Sequence, residues 1–210
     1  MPTSSPVFLR DVASGDMVEA ELWDAITERN VSDWHSEWTP YLLQALQRLH
    51  RSGDLSRWPQ SWRWNWRDKA DAVEKLLAWS GASIVCAGVT QGMMVVDTAS
   101  KRCKLQTQKG LDLVYVEFIE NAPWNRAELT GDDPRYRGTG TLLVRAAVAM
   151  SEELDFKGRI GLHSLKRAES FYKGTCGMTD LGADQAYGGL HYFEATPAQA
   201  RAFAQQGDRP

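Results

Sequence analysis

The segment LDLVYVEFIE (111–120) has the strongest β-strand pattern in the chain, and a glycine-containing loop and a long helical pattern follow it. Branched and aromatic residues dominate the strand. Leucine, alanine and methionine dominate GTLLVRAAVAMSEELDF (140–156), which favours a helix. A strand connected to a long helix in this way is typical of a sheet covered by helices. The sequence therefore predicts an α/β or α+β fold with a mixed sheet.

The patterns around this segment fit the same fold. ASIVCAGVT (82–90) and GMMVVDTA (92–99) are β-rich runs, and we expect an antiparallel hairpin that turns near Gln91-Gly92. A strand, a helix, a closing strand and a last helix are then predicted at GRIGLHSL (158–165), KRAESFYKGT (166–175), GGLHYFEAT (188–196) and 197–205.

The N-terminal part carries mainly helical patterns. VFLRDV (7–12) predicts a short strand, and apolar residues then recur every three or four positions in several segments. Helices are expected over 17–30, 40–51 and 69–80. We therefore expect an enlarged helical N-terminal part, with a helical and aromatic-rich segment over about 13–80.

Length and composition limit the class of protein. A chain of 210 residues, 43% of them hydrophobic, suits a single domain over 1–210. No apolar run approaches the roughly 18 residues needed to cross a bilayer, and the N-terminus lacks a secretory signal pattern. The three cysteines form no CxxC pair, so no disulfide framework or metal site is indicated. We expect a cytoplasmic protein without membrane association.

Charge is distributed unevenly along the chain. The net charge of -3 argues against a protein whose whole surface binds polyanions. Residues 1–50 carry eight acidic and three basic residues, a net of -5, whereas residues 51–69 carry five basic and two acidic residues, a net of +3. Any phosphate-binding role must therefore be local.

The loop DPRYRGTGTLL (133–143) leads into the long helix. Gly138 and Gly140 allow the backbone to approach a ligand closely, and the helix behind them offers unpaired N–H groups to a phosphate. Arg135 and Arg137 add positive charge. The loop is not a Walker motif, because no GK[ST] follows, and it lacks the third glycine of a Rossmann fingerprint. From these residues alone, a phosphate site and a plain turn into a helix both remain open.

Two blocks of sequence resemble one known family. Arg135-x-x-Gly138-x-Gly140 resembles the Q/R-x-x-G-x-G/A signature of the GCN5-related N-acetyltransferases (GNAT family), in which this loop cradles the pyrophosphate of acetyl-CoA. RIGLHSLKRAESFYKGTCGM resembles the strand and helix that follow in that family. The matching residues of this second block are Ala168, Phe171, Tyr172, Gly177 and Met178.

The resemblance is sharp over about 111–182, which we take as the cofactor-binding core. The chain departs from the family pattern in three places. The asparagine that often opens the second block is replaced around Ser164-Leu165. One extra residue separates Tyr172 from Gly177, and residues 121–133 intervene between the strand and the glycine loop.

The resemblance implies a GNAT-like acyl-CoA N-acyltransferase fold. It also implies an enzyme that moves an acetyl group from acetyl-CoA, its cosubstrate, to a primary amine. Ile119 would contribute a strand amide near the acyl carbonyl. The other residues expected to bind acetyl-CoA are Arg135, Arg137, Gly138, Thr139, Gly140, Thr141 and Leu142.

Acetyl transfer by direct attack requires a neutral amine and a proton for the departing thiolate. Tyr172 matches the tyrosine that serves as the acid in similar enzymes, although it would also suit a helix-packing role. Glu117 and Glu120 are the candidate bases, on opposite faces of the strand. Glu120, at the strand end, would also suit a merely solvated carboxylate. His163 could relay a proton or be structural.

SRWPQSWRWNWRDK (56–69) contains four tryptophans among basic residues. Trp62, Trp64 and Trp66 would share one face of an extended segment. Core packing, a wall of the acceptor pocket and contact with a nucleic acid are the open interpretations. The candidate substrate-binding residues are Trp64, Trp66, Trp124 and Asn125.

The partner is an amine acceptor whose identity the sequence does not define. We rank a small-molecule or peptide-like amine above charged tRNA, because the net charge is negative and the basic stretch is short. A toxin-like acetyltransferase acting on charged tRNA and a non-catalytic acyl-CoA-binding module are the alternatives. A homodimer stays open.

Overall fold

The structure is a computed structural model that describes residues 1–130 and 134–206. The chain divides into two compact units. The described parts of Met1–Leu77, Gly81–Met94 and Ile119–Leu143 form the first unit, and those of Ala78–Ser80, Val95–Phe118 and Val144–Pro210 form the second.

The described residues contain both strands and helices. The strands are β1 (Ser4–Asp11), β2 (Met17–Trp23), β3 (Trp79–Cys86), β4 (Val89–Asp97), β5 (Val114–Asn121), β6 (Tyr136–Arg137), β7 (Ile160–Ser164), β8 (Thr179–Asp184) and β9 (Leu190–Ala195). The α-helices are α1 (Glu28–Asp33), α2 (Thr39–Ser52), α3 (Trp66–Lys75), α4 (Ala127–Thr130), α5 (Thr139–Glu153) and α6 (Pro197–Gln205). None of the helices in this part of the chain is long and apolar enough to cross a membrane.

The first unit has the strand order β6-β1-β2-β3-β4. β1 pairs antiparallel with both β2 and β6, and β2 pairs antiparallel with β3. The helix predicted over 17–30 is wrong for most of its length, because Met17–Trp23 is strand β2 and helix α1 begins only at Glu28. Val18, Ala20 and Leu22 alternate with exposed Glu19 and Glu21, and this period of two matches a strand with one covered face. The segment over about 13–80, expected to be helical and aromatic-rich, therefore also contains strand β2.

Two other predicted segments of the first unit are placed more closely. The helix predicted over 40–51 is confirmed as α2. The helix predicted over 69–80 is α3, which begins earlier because the Asn65 side chain accepts hydrogen bonds from the Arg67 and Asp68 N–H groups. It also ends earlier, at Lys75, and strand β3 begins at Trp79. The turn between β3 and β4 lies at Ala87-Gly88, where both residues have positive φ, rather than at Gln91-Gly92.

The extended segment predicted for Trp62, Trp64 and Trp66 is also wrong. The Trp62 N–H donates to the Pro59 carbonyl at 3.2 Å, and the Trp64 N–H donates to the Ser61 carbonyl at 2.8 Å. These bonds close two successive turns, and Trp66 already begins α3. The tryptophans therefore do not share one face, because local turn and cap hydrogen bonds determine the backbone here.

The second unit has the strand order β5-β7-β9-β8. β5 and β7 are parallel, whereas β7–β9 and β8–β9 are antiparallel, so the sheet is mixed as predicted. The parallel register runs from Val114–Ile160 to Val116–Leu162. Among the described residues, both strands continue after the Val116–Leu162 pair, but they no longer pair with each other. The two strands therefore separate after this pair.

The helical segment after β7 is irregular. The helix predicted over 166–175 is present as a 3-10 turn at Lys166–Ala168 followed by a π-helical turn at Phe171–Thr175. The Cys176 N–H donates to the Phe171 carbonyl at 3.0 Å, which is the five-residue spacing of a π turn. A π turn accommodates one additional residue, which accounts for the extra residue between Tyr172 and Gly177 in the family pattern.

Candidate functional site

The start of α5 has the geometry expected of an anion site. Gly138 precedes the helix with a φ of +104°, a conformation that favours glycine. The Leu142 N–H donates to the Gly138 carbonyl at 2.9 Å. The N–H groups of Thr139, Gly140 and Thr141 precede this bond, and such groups have no partner within a helix. Those three amides have no partner within the helix, whereas Leu142, also predicted to bind acetyl-CoA, uses its amide within the helix.

Thr139 contributes a buried hydroxyl at the same place. The residue is 2% exposed, and its Oγ1 has no hydrogen-bond partner among the described residues. Gly92 makes room for this helix start, since a Cβ at Gly92 would lie 2.5 Å from Thr139 Cγ2 and 3.0 Å from Leu143 Cδ1. Burying a hydroxyl without a partner is costly, so the start of α5 is suited to a ligand that accepts a hydrogen bond.

A buried polar network fixes the loop before α5. Trp124 Nε1 and Asn125 Nδ2 both donate to Gln91 Oε1, at 2.9 and 3.0 Å. Asn125 Oδ1 accepts from the Tyr136 N–H at 2.9 Å, and the Trp124 carbonyl accepts from the Arg135 N–H at 3.0 Å. Trp124 and Asn125, predicted to bind substrate, are thus buried supports of the glycine loop. Sequence patterns placed Gln91 in a turn and did not indicate this supporting role.

The two arginines of the loop are exposed. Arg137 is paired with Arg10 in the ladder between β6 and β1. The Arg135 guanidinium lies 5.2 Å from the centroid of the Trp124 ring. Both side chains therefore keep positive charge at the surface, on the segment that leads directly into α5.

Glu120, predicted as a base or a solvated carboxylate, is largely covered, with its side chain 10% exposed. Its Oε1 accepts from Ser61 Oγ at 2.6 Å and from Arg126 Nη1 at 2.9 Å. Its Oε2 accepts from Trp66 Nε1 at 2.7 Å. Because both oxygens are engaged, Glu120 serves as an anchor for the tryptophan-rich segment, and the base hypothesis depends mainly on Glu117.

The remaining substrate-binding candidates lie in the same segment. Trp66 is fully buried, which supports core packing for this residue. Trp64 is half-buried, and Lys69 Nζ lies 5.0 Å from its ring centroid. Ile119, expected to offer an amide to the acyl group, is half-buried in β5.

Glu117 is half-buried in the second unit, immediately after the last parallel pair of β5 and β7. Burial raises the pKa of its carboxyl group, an effect that Lys101 opposes and Asp97 reinforces. No hydrogen bond to this carboxylate is found among the described residues. A carboxylate with a raised pKa and no fixed partner has the properties of a general base.

Tyr172 lies in the π turn and is 4% exposed. Its ring packs against Phe171 and Phe193, at centroid distances of 5.2 and 5.9 Å. Burial raises the pKa of the phenol, and Cys176 adds to this effect. The hydroxyl therefore stays protonated at neutral pH, as a proton donor requires.

His163, a single histidine in strand β7, is the centre of a cluster in the second unit. Asp184 has its pKa lowered to about 2, mainly by hydrogen bonds from Lys104 and His163. Because the ionised carboxylate only accepts hydrogen bonds, we assign the imidazole proton to Nε2, 3.1 Å from Asp184 Oδ2. Nδ1 then accepts from the Tyr115 hydroxyl at 2.6 Å. Carboxylate, imidazole and phenol form one hydrogen-bonded line.

Aromatic and cationic groups enclose this line. The Tyr187 ring stacks on His163 with a centroid distance of 3.6 Å, and Lys101 Nζ donates to the Tyr187 hydroxyl at 2.7 Å. Lys104 Nζ lies 2.7 Å from Asp184 Oδ2. Sequence analysis did not predict the cluster, because its members come from separate strands and connections.

We predict that acid destabilises the chain through His163. Burial lowers the pKa of His163 from 6.5. Asp184 partly opposes this effect, and Lys104 and Lys101 reinforce it. The unfolded chain therefore takes up a proton near pH 6.5 that the folded chain does not, so the free energy of unfolding falls as the pH drops through 6.5. Urea unfolding of the wild type and of His163→Asn at pH 7.5 and 5.5 measures this loss. An equal loss in both proteins would contradict the assignment.

Comparison with known proteins supports the fold. No protein-family model matches the chain, and no curated protein is similar to it in sequence. Among solved structures, RimJ of Mycobacterium smegmatis in complex with CoA-disulfide is 14% identical, with a TM-score of 0.53 over 99% of this chain and 95% of that one. A putative arylalkylamine N-acetyltransferase 7 of the yellow fever mosquito is 13% identical, with a TM-score of 0.52 over 94% and 96%. An uncharacterized Bacillus halodurans protein is 11% identical, with a TM-score of 0.53 over 96% and 95%.

These likenesses extend over nearly the whole chain, and they agree with the mixed sheet. The chain therefore has the fold of the GNAT acyl-CoA N-acyltransferases, which confirms the fold expected from the resemblance. At these identities the likeness defines the fold.

Proposed function

We propose that this protein is an acyl-CoA-dependent acyltransferase, and specifically an N-acetyltransferase that uses a primary amine as its acceptor. The start of α5 carries the proposal. There a left-handed glycine, three amides that precede the first helical bond and an unpartnered buried hydroxyl come together. This donor set fits a phosphate group.

The residues that would hold acetyl-CoA follow from that donor set. The amides of Thr139, Gly140 and Thr141 and the Thr139 hydroxyl would donate to phosphate oxygens. Arg135 and Arg137 would add charge at the surface. Bound acetyl-CoA would supply an activated thioester. A RimJ structure with CoA-disulfide shares the fold, which supports this choice of cosubstrate.

Two residues of the second unit suit the proton transfers. Glu117 would take a proton from the acceptor amine, since its raised pKa and lack of a fixed partner favour proton uptake. Tyr172 would give a proton to the departing thiolate, because its phenol is kept protonated by burial. The amine would attack directly, without a covalent enzyme intermediate.

For the acceptor, we propose a small or peptide-like amine ahead of charged tRNA. The negative net charge supports this order, and so does the burial of Trp66, which removes one of the aromatic faces that a nucleic acid would need. The name of the mosquito protein makes arylalkylamines a reasonable first group to examine.

The test combines binding with turnover. Calorimetry with acetyl-CoA measures binding, and a thiol-release assay then screens arylalkylamines, polyamines, peptides and charged tRNA. Binding of acetyl-CoA with thiol release on a small amine is the expected result. Absence of acetyl-CoA binding would overturn the proposal, and binding without release on any acceptor would favour a non-catalytic module. A charged-tRNA product whose formation falls steeply between about 50 and 200 mM salt would favour RNA.

A further inference from the structure

A cavity in the first unit lies between α2 and the start of the tryptophan-rich segment. Its volume is about 340 Å³, which falls in the range of small-molecule sites. The lining residues are Leu43, Leu46, Gln47, His50, Arg51, Trp58 and Trp62. None of them belongs to the start of α5 or to the proposed proton-transfer residues.

The wall of the cavity is aromatic and aliphatic. The rings of Trp58 and Trp62 meet edge to face with their centroids 5.9 Å apart. Trp62 is 40% exposed and Leu43 is 54% exposed. Large apolar side chains that face a concavity and remain open to solvent are typical of a binding site.

Residues outside the cavity hold its wall in place. Trp58 packs against the cluster of Ala45, Leu49 and Leu129. Ser61, which precedes Trp62, donates to the largely covered Glu120 carboxylate at 2.6 Å. A wall fixed in this way loses little conformational entropy when a ligand binds. The anchor at Glu120 thus gives the cavity a preformed shape.

The ionisable groups at the cavity are basic. Among the described residues that line it, these groups belong to His50 and Arg51. The Arg63 guanidinium lies 4.5 Å from the Trp62 ring centroid, beside the same wall. These basic groups favour a negative charge on the ligand. The aromatic wall favours an apolar group next to that charge.

We propose that this cavity binds a small organic anion with a compact apolar body, such as an aryl carboxylate. The site goes beyond the proposed acyl transfer and does not depend on it. A nucleic acid fits less well, because serial base stacking needs open ring faces, whereas Trp66 is buried and Trp58 meets Trp62 edge to face.

Nuclear magnetic resonance of the full chain without acetyl-CoA tests the proposal through the indole N–H signals. The signals of Trp58 and Trp62 are assigned with the variants Trp58→Phe and Trp62→Phe, and the buried Trp66 serves as an internal control. The probes are 3-phenylpropionate, 3-phenylpropanamide and 3-phenylpropylamine, which share one apolar body and differ in charge. We expect the anion to shift the Trp58 and Trp62 signals and to bind about three- to fivefold more tightly than the neutral amide, as one exposed charge contact allows.

Two arginine variants of α2 complete the test. Arg51→Ala should remove the preference for the anion, whereas Arg48→Ala, which lies on the same helix but does not line the cavity, should retain it. Equal affinity for the three probes, unmoved Trp58 and Trp62 signals, or a preference that survives Arg51→Ala would overturn the proposal. Tighter binding of an oligouridylate at these two indoles would overturn it in favour of a nucleic acid. Because no acetyl-CoA is present, none of these outcomes bears on acyl transfer.

Discussion

Replacement of Gly140 by aspartate is expected to abolish acetyl-CoA binding, with a loss of affinity of at least about a hundredfold. The Gly140 amide is one of the three that precede the first helical hydrogen bond of α5. A carboxylate at this position would place negative charge at the positive end of the helix dipole, where the phosphates are proposed to bind. Calorimetry with acetyl-CoA measures the effect.

Gly140→Ala is the matched control, because it adds a side chain without charge and should retain most of the affinity. Gly138→Asp should also abolish binding, but Gly138 has positive φ, so part of its effect would come from backbone strain. Arg137→Ala should weaken binding by only about 1–2 kcal/mol, since it removes one exposed charge. Unchanged affinity in a folded Gly140→Asp protein would place the phosphates elsewhere.

The elements of this fold that were predictable are those in which apolar residues recur at a regular spacing. α2 and β5 were placed within a few residues, since each has a regular pattern over eight residues or more. β2 was missed because VEAEL fits two periods, and pairing with β1 decides between them. The turn at Ala87-Gly88 was displaced to Gln91-Gly92, because Gly92 follows a polar residue, which is a common turn signal, whereas Gly88 lies between Ala87 and Val89.

The candidate site was predictable where its residues are adjacent in sequence. The loop from Arg135 to Gly140 forms a local unit, and it opens α5 as expected. The Gln91–Asn125 contact and the His163–Asp184 contact join residues that lie 34 and 21 positions apart. Such contacts depend on strand order and register, which single-residue patterns do not specify.

The surroundings of Glu120 were also not predictable from local sequence patterns. Its position at a strand end suggested a solvated carboxylate, and that expectation treated β5 as an isolated strand. Ser61 and Trp66, which precede it by 59 and 54 positions, instead cover it and donate to it. A covered carboxylate is retained where donors satisfy its oxygens. The anchoring role of Glu120 therefore depends on the tryptophan-rich segment, and the conformation of that segment was predicted wrongly.

Substitution of Tyr172 by phenylalanine is expected to lower the turnover number by about ten- to a thousandfold, the range for loss of a general acid. The change removes one hydroxyl and keeps the ring contacts with Phe171 and Phe193, so the fold should be retained. Acetyl-CoA affinity should stay close to that of the wild type, because the phosphates are proposed to bind at the start of α5. Thiol release with the fastest amine of the screen gives the turnover number.

The pH dependence separates an acid from a packing residue. Burial raises the pKa of the Tyr172 phenol, so the wild type should lose no activity through this group between pH 6 and 9, and the variant should be slower by a constant factor across that range. Tyr41→Phe is the control, because Tyr41 also packs against an aromatic ring, that of Trp124, and has no proposed proton to give. If Tyr172→Phe and Tyr41→Phe both turn over at the wild-type rate, Tyr172 is a packing residue, and water or Glu117 must deliver the proton to the thiolate.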